Sequence, residues 1–236
     1  MNSNQALMDG KLAIKINILP DAVKNWYLKL ITPVVDFFIA RALNPNLFTT
    51  IGFALSVVTA YLFGVGQLPL AGALVLLSGT FDIIDGRVAR ATNRVTKFGA
   101  LYDSTLDRYA EVIIFFGLAY HFVALGFLWR SVAVCMALGG SLMVSYIRAR
   151  AEGLNFECKV GVMQRPERIV LLGLGAIATM FYEYALDVAV WIIAALANFT
   201  AIQRLYHVWA VENGRQHQLL ETPQSNVSAK EALTRH

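Results

Sequence analysis

Five stretches of this chain contain no aspartate, glutamate, lysine or arginine: residues 48–81, 112–129, 131–147, 169–182 and 188–203. Crossing the ~30 Å hydrocarbon core of a bilayer takes ~20 helical residues, because only a helix satisfies its own backbone where water is absent. The first stretch is too long for one crossing, and Gly64, Gly66 and Pro69 mark the turn that divides it. Six spans are expected, near 48–65, 69–91, 100–125, 130–151, 166–183 and 187–209. Only 15% of the residues are charged, against ~25% in soluble domains, which excludes a disordered chain. The fold expected is all-α, that of a polytopic membrane protein.

The six spans account for one membrane domain over 44–210, leaving a segment 1–20, a preceding helix over 21–43 and a polar tail over 211–236. The 21–43 segment sets Trp26, Leu30, Ile31, Val34, Val35 and Phe38 among Lys24, Lys29, Asp36 and Arg41. That mixture suits an amphipathic helix lying in the headgroup plane. The first residues lack a basic start followed by an apolar run, so a cleavable signal peptide is not expected. Of the 20 lysines and arginines, all but Arg130 fall on one side of the expected spans. The positive-inside rule then puts both termini on the cytoplasmic side of the cell membrane. This basic face suits anionic lipid or a phosphorylated substrate; no module that would read nucleic acid is present. Cys135 and Cys158 fall in a span and a loop and support neither a disulfide framework nor a zinc cluster.

The acidic residues carry the chemistry. Asp82 and Asp85 lie three apart near the end of the second expected span, and Asp103 and Asp107 four apart at the start of the third. Both spacings place a pair on one helix face. Two antiparallel helices joined by a short loop bring the pairs opposite one another, and four converging carboxylates repel unless cations intervene. A pair of divalent ions relieves that repulsion, and hard oxygen donors suit Mg²⁺ or Mn²⁺, which bridge phosphate oxygens. Gly86 and Gly99 let a ligand or a neighbouring helix approach the backbone.

Together these residues spell Asp82-x-x-Asp85-Gly86-x-x-Ala89-Arg90, eight residues, then Gly99-x-x-x-Asp103-x-x-x-Asp107. The pattern resembles the signature of the CDP-alcohol phosphotransferase family at every fixed position. The resemblance implies transfer of a phosphoalcohol group, such as the phosphatidyl group of CDP-diacylglycerol, to an acceptor hydroxyl with release of CMP. It implies metal ligation by Asp82, Asp85 and Asp103, with Asp107 as general base and a further ligand. It also implies donor contacts from Gly86, Arg90 and Thr96 and from the Pro45-Asn46-Leu47-Phe48 turn, although Pro45 and Asn46 equally suit a plain helix start. A homodimer is suggested by the same resemblance; Gly139, Gly140, Gly173 and Gly175 give faces smooth enough for helix contact either between protomers or within one.

For the acceptor, the arginines decide. Ser145–Glu152, Arg165-Pro166-Glu167-Arg168 and Gln203-Arg204-Leu205 look like the branch that uses inositol 1-phosphate. Arg148, Arg168 and Arg204 are the first choices for the acceptor phosphate, with Arg150, Arg165 and Lys159 behind them, although topology alone also gathers cations on this face. Glu111 could bind acceptor hydroxyls or pair with an arginine. A glycerol 3-phosphate acceptor, as in phosphatidylglycerophosphate synthases, is the runner-up, and serine, which needs no phosphate pocket, ranks lower. A divalent-cation transporter is the alternative from another class, but it should carry its acids near the bilayer midplane rather than at one end.

Overall fold

In the computed structural model, residues 21–41 and 43–221 are described. They form seven helices and no strand: α1 (Asp21–Ala40), α2 (Pro45–Gly64), α3 (Leu68–Ala91), α4 (Lys97–Ala124), α5 (Leu128–Gly153), α6 (Arg165–Ala178) and α7 (Ala185–Glu221). The segment 1–20 and the last part of the tail, 222–236, lie outside the described residues.

The helix starts follow local chemistry. Asn44 caps α2 by accepting from the Asn46 amide at 3.0 Å, with Pro45 at the first helical position. Thr96 caps α4 through the Gly99 amide at 2.9 Å. Between α2 and α3 the chain turns at Gly66 with φ +81°, and between α4 and α5 at Gly126 with φ +77°, backbone that glycine adopts without strain.

α2 packs on α3 and α4, α3 on α6, α6 on α7, α7 on α5 and α5 on α4, closing a ring; α1 lies against α3. The core runs through Phe63, Val75, Phe115, Leu118, Val134, Leu172, Leu186 and Ile193. A smaller core joins Ile31 and Val35 of α1 to Phe48, Ile84 and Val88. In lipid there is little hydrophobic drive between helices, so close contact and interhelical hydrogen bonds hold them. At Gly117 a Cβ would lie 2.1 Å from the Ala60 carbonyl oxygen, and at Gly72 one would lie 2.6 Å from that of Gly173. Gly140, Gly173 and Gly175 are likewise packed within this protomer, whereas Gly139 faces open space. Ser56 and Ser78 hydrogen-bond across α2 and α3 at 3.1 Å, and Asn198 donates to the Met136 carbonyl at 3.0 Å. Opposite the Asp-bearing end, Arg130 pairs with Asp187 at 3.2 Å and stacks 4.2 Å from the Phe127 ring.

Among the described residues, four helices are long and apolar enough to cross a membrane: α2, α3, α5 and α7 over Ala185–Gly214. The expected third and fifth spans do not meet that measure. In α4, Lys97, Asp103, Asp107, Arg108 and Glu111 leave only 112–124 free of charge. The expected 166–183 span is helical only to Ala178, 14 residues in α6, because the chain turns at Met180–Phe181 ahead of α7. The last helix, expected to end near 209, continues to Glu221.

Candidate active site

α3 and α4 are joined by the short turn 92–96, so the end of one faces the start of the other. This brings Asp82 and Asp85 of α3 to Asp103 and Asp107 of α4, close enough that Asp82 and Asp103 each interact electrostatically with the other three. Asp85 is buried and accepts a hydrogen bond from Thr49 of α2 at 2.7 Å. Arg165, the first residue of α6, reaches Asp82 Oδ2 and Asp107 Oδ1 at 2.8 Å each. Arg108 stands farther from Asp107, at 3.9 Å.

The cluster is not satisfied by its neighbours. Asp82 Oδ2 and Asp103 Oδ1 are buried with no hydrogen-bond partner, the first despite its short ion-pair contact. Buried oxygens in that condition are costly unless a cation takes them. The donor set, all carboxylate oxygen, suits a hard divalent ion. Among the described residues, no three acid, histidine or cysteine side chains form a ready-made cage; the Arg165 guanidinium holds Asp82 and Asp107 instead.

At the α3–α4 turn and the start of α2, Asn44, Pro45, Asn46, Asn93, Arg94 and Thr96 line an open cleft of about 520 Å³. Gly99 sits against this group: a Cβ there would lie 3.0 Å from Thr96 Oγ1 and 3.4 Å from Asn46 Oδ1. Of the residues expected to contact the donor, Pro45, Asn46 and Thr96 thus gather at the cleft. Gly86 and the exposed Arg90 lie together one helical turn apart on α3, a Cβ on Gly86 falling 3.3 Å from the guanidinium. Leu47 is exposed, while the Phe48 ring is buried against Phe38 with centroids 4.7 Å apart.

The arginines divide by burial. Arg148 and Arg150 are exposed, Arg148 pairing with Glu152 at 2.8 Å. Arg168 is 2% exposed and donates to both oxygens of Glu111, at 2.8 and 3.2 Å. Arg204 is 3% exposed and donates to the carbonyls of Val160 at 2.8 Å and Val144 at 2.6 Å. The last two therefore have no open face toward a ligand in this arrangement. Arg204 and Thr200, which accepts from the Met163 amide at 3.0 Å, fasten the α5–α6 loop to α7. In that loop Lys159 donates to Glu157 and holds its carboxyl below the usual range, while burial pushes the Cys158 thiol up. A thiol so placed is a poor nucleophile and metal ligand.

Two contributors are not evident from the sequence alone. Thr49 has its only signal in standing four residues after Pro45, on the face that meets α3. Arg87 is visible there only as one more cation, yet it donates to the Leu28 carbonyl and the Thr32 hydroxyl and ties α1 to the helix bearing Asp85.

The sequence profile described as CDP-alcohol phosphatidyltransferase matches residues 42–210. The chain belongs to this family. As a CDP-alcohol phosphatidyltransferase it is an enzyme of phospholipid synthesis embedded in a membrane, and the cation-transporter alternative falls. An archaetidylinositol phosphate synthase of Methanothermobacter thermautotrophicus is 39% identical over 182 residues, covering 77% of this chain and 89% of that protein. A phosphatidylinositol phosphate synthase of Mycobacteroides abscessus is 34% identical over 192 residues, covering 78% and 86%. Among solved structures, the Mycobacterium tuberculosis phosphatidylinositol phosphate synthase with CDP-DAG bound superposes with TM-score 0.70 at 32% identity, covering 77% of this chain and 94% of that one. The same enzyme in complex with manganese and citrate gives 0.69 at 33% identity, covering 75% and 88%.

Proposed function

We propose that this transferase moves the phosphatidyl group of CDP-diacylglycerol to the hydroxyl of inositol 1-phosphate, forming phosphatidylinositol phosphate and CMP. The observation that carries the reading is the convergence of Asp82, Asp85, Asp103 and Asp107, two of whose buried oxygens accept no hydrogen bond, around the Arg165 guanidinium. The names of the relatives support the choice of acceptor.

Asp82, Asp85 and Asp103, with Asp107 as a further ligand, would hold two divalent ions, Mg²⁺ or Mn²⁺. Bound there, such ions neutralise the diphosphate and stabilise the CMP leaving group. Asp107 takes the proton of the acceptor hydroxyl as it attacks phosphorus. Thr49 fixes one oxygen of Asp85 so that the carboxylate cannot swing away. Asn46, Thr96, Gly86 and Arg90 receive the CDP end of the donor, Arg90 by paired donors to a phosphate. Arg148, Arg150 and Arg165 face the acceptor phosphate, and Arg168 and Arg204 add positive potential from behind them.

In this reading six helices cross the membrane. α4 and α6 complete the set as members of the closed ring, α6 with its 14 helical residues and the turn that leads into α7, and neighbouring helices cover part of their polar surface. Both termini and the site lie on the cytoplasmic side, and α1 lies in the interface with Trp26, Leu30, Val34 and Phe37 exposed toward lipid. The protein works as a homodimer.

Incubating purified protein with CDP-diacylglycerol, Mg²⁺ and either inositol 1-phosphate, free inositol or glycerol 3-phosphate tests the assignment through CMP release. Inositol 1-phosphate should be used far faster than free inositol. A preference for glycerol 3-phosphate in direct competition refutes the acceptor while leaving the transferase chemistry intact.

A further inference from the structure

Arg165 holds a position that the reaction needs for something else. It opens α6, and its two terminal nitrogens touch Asp82 of α3 and Asp107 of α4, each at 2.8 Å, so one monocation ties three helices. A guanidinium is a flat fork that matches the two oxygens of one carboxylate. Here the fork is split between two carboxylates on different helices. Asp82 Oδ2, although 2.8 Å from the fork, is not satisfied by a well-directed hydrogen bond, and the neighbouring Asp103 Oδ1, which the fork does not reach, has no partner. A divalent ion has twice the charge, no fixed donor directions and room for more oxygens. The two cations cannot share these oxygens, because like charges a few ångströms apart in a part-buried site repel strongly. Arg165 also lines a small, partly open pocket of about 30 Å³ together with Glu111, Arg168, Ser56 and Ser78, and Glu111 is near enough to attract Arg165. The guanidinium therefore has a further anionic neighbour besides Asp82 and Asp107.

We propose that Arg165 is a built-in counter-cation that a divalent metal must displace. It pairs with two of the four carboxylates in the metal-free protein, offsetting one of their charges, and holds α3, α4 and α6 together. It lowers metal affinity by the cost of breaking both contacts, and on metal binding it becomes free to meet a substrate phosphate. The inference rests on the reading of the four aspartates as the metal site.

The test uses the full-length protein, stripped with chelator in detergent and titrated with Mn²⁺ while free Mn²⁺ is followed by electron paramagnetic resonance. Arg165→Gln should bind Mn²⁺ more tightly than wild type, by at least about fivefold, the lower edge of ordinary coupling between sites. Arg165→Lys keeps a charge but cannot bridge two carboxylates, and should fall between them. Without metal, Arg165→Gln should melt below wild type, and saturating Mn²⁺ should raise its melting temperature by more than it raises the wild type's. A residue that merely packed α6 would lower stability and leave Mn²⁺ affinity unchanged. Equal or weaker affinity in the variants overturns the proposal, and the Mn²⁺ affinity of Arg165→Lys decides it alone if Arg165→Gln does not fold. Asp103→Asn separates the two levels. If it binds Mn²⁺ like wild type, the reading of the aspartates has failed; if it loses Mn²⁺ while the Arg165 variants match wild type, only the counter-cation has failed.

Discussion

Glu111 and Arg168 are almost fully buried, and each answers the other: the guanidinium donates to both carboxylate oxygens and to the Met163 carbonyl besides. One turn earlier on the same helix, Asp107 belongs to a group of four carboxylates for which one guanidinium serves two, and two buried oxygens have no partner. The two clusters line up along α4 in much the same surroundings, so burial alone does not distinguish them. Saturation does. A buried pair whose donors and acceptors all match is part of the scaffold, whereas a surplus of one charge held in place by the fold is waiting for a ligand.

The sharpest way to break this contrast is to neutralise the surplus. Asp82→Asn, Asp85→Asn and Asp103→Asn should each abolish CMP release, and added Mg²⁺ should recover little, because an amide cannot hold a divalent ion against its hydration. Asp85→Asn and Asp103→Asn should leave the melting temperature of the chelator-treated protein level or raised, since they relieve repulsion without touching the Arg165 bridge. A variant that keeps turnover removes its residue from the metal set. Asp107→Asn comes next: a rate loss of ~10² to 10⁴, typical for a missing general base, with CDP-diacylglycerol binding retained. If donor affinity falls as far as in Asp82→Asn, Asp107 is chiefly a ligand and the base lies elsewhere.

The saturated pair should respond in the opposite sense. Glu111→Gln leaves Arg168 as an uncompensated buried charge and should cost about 3–5 kcal/mol of stability, read as a fall in melting temperature with or without Mn²⁺. A variant as stable as wild type but inactive would move Glu111 from scaffold to catalysis. The smallest effect belongs to a pair that is matched but exposed. Glu152→Gln, which removes the Arg148 partner at the end of α5, should cost at most about 0.5 kcal/mol. If it alters KM for inositol 1-phosphate, it does so by freeing Arg148.

What the sequence makes legible follows the range of the interactions. Asp82, Asp85, Asp103 and Asp107 are readable because spacings of three and four fix a helix face, and a short turn fixes the antiparallel pairing of two faces. The helix start at Pro45 is readable because proline favours the first helical position, whereas α4 begins at Lys97, ahead of the expected 100, because the Thr96 side chain caps it. The partners of the arginines are not readable. Arg168 meets Glu111 across 57 positions and Arg204 meets Val144 across 60, and nothing local separates such an arginine from one that only obeys the topology rule. α6 misleads for a related reason. Its apolar run continues past Ala178, but Met180 and Phe181 belong to the turn into α7, and composition carries no mark of that boundary.

The glycine contacts described for the ring have a bearing on how a lipid is handled at all. Where α2 meets α4 at Gly117, and α3 meets α6 at Gly72, there is no room for even one extra methyl group. An acyl tail cannot thread between helices at either seam. Neither of these two seams admits the tails of a lipid donor, whose water-loving head has to reach the carboxylates by another way.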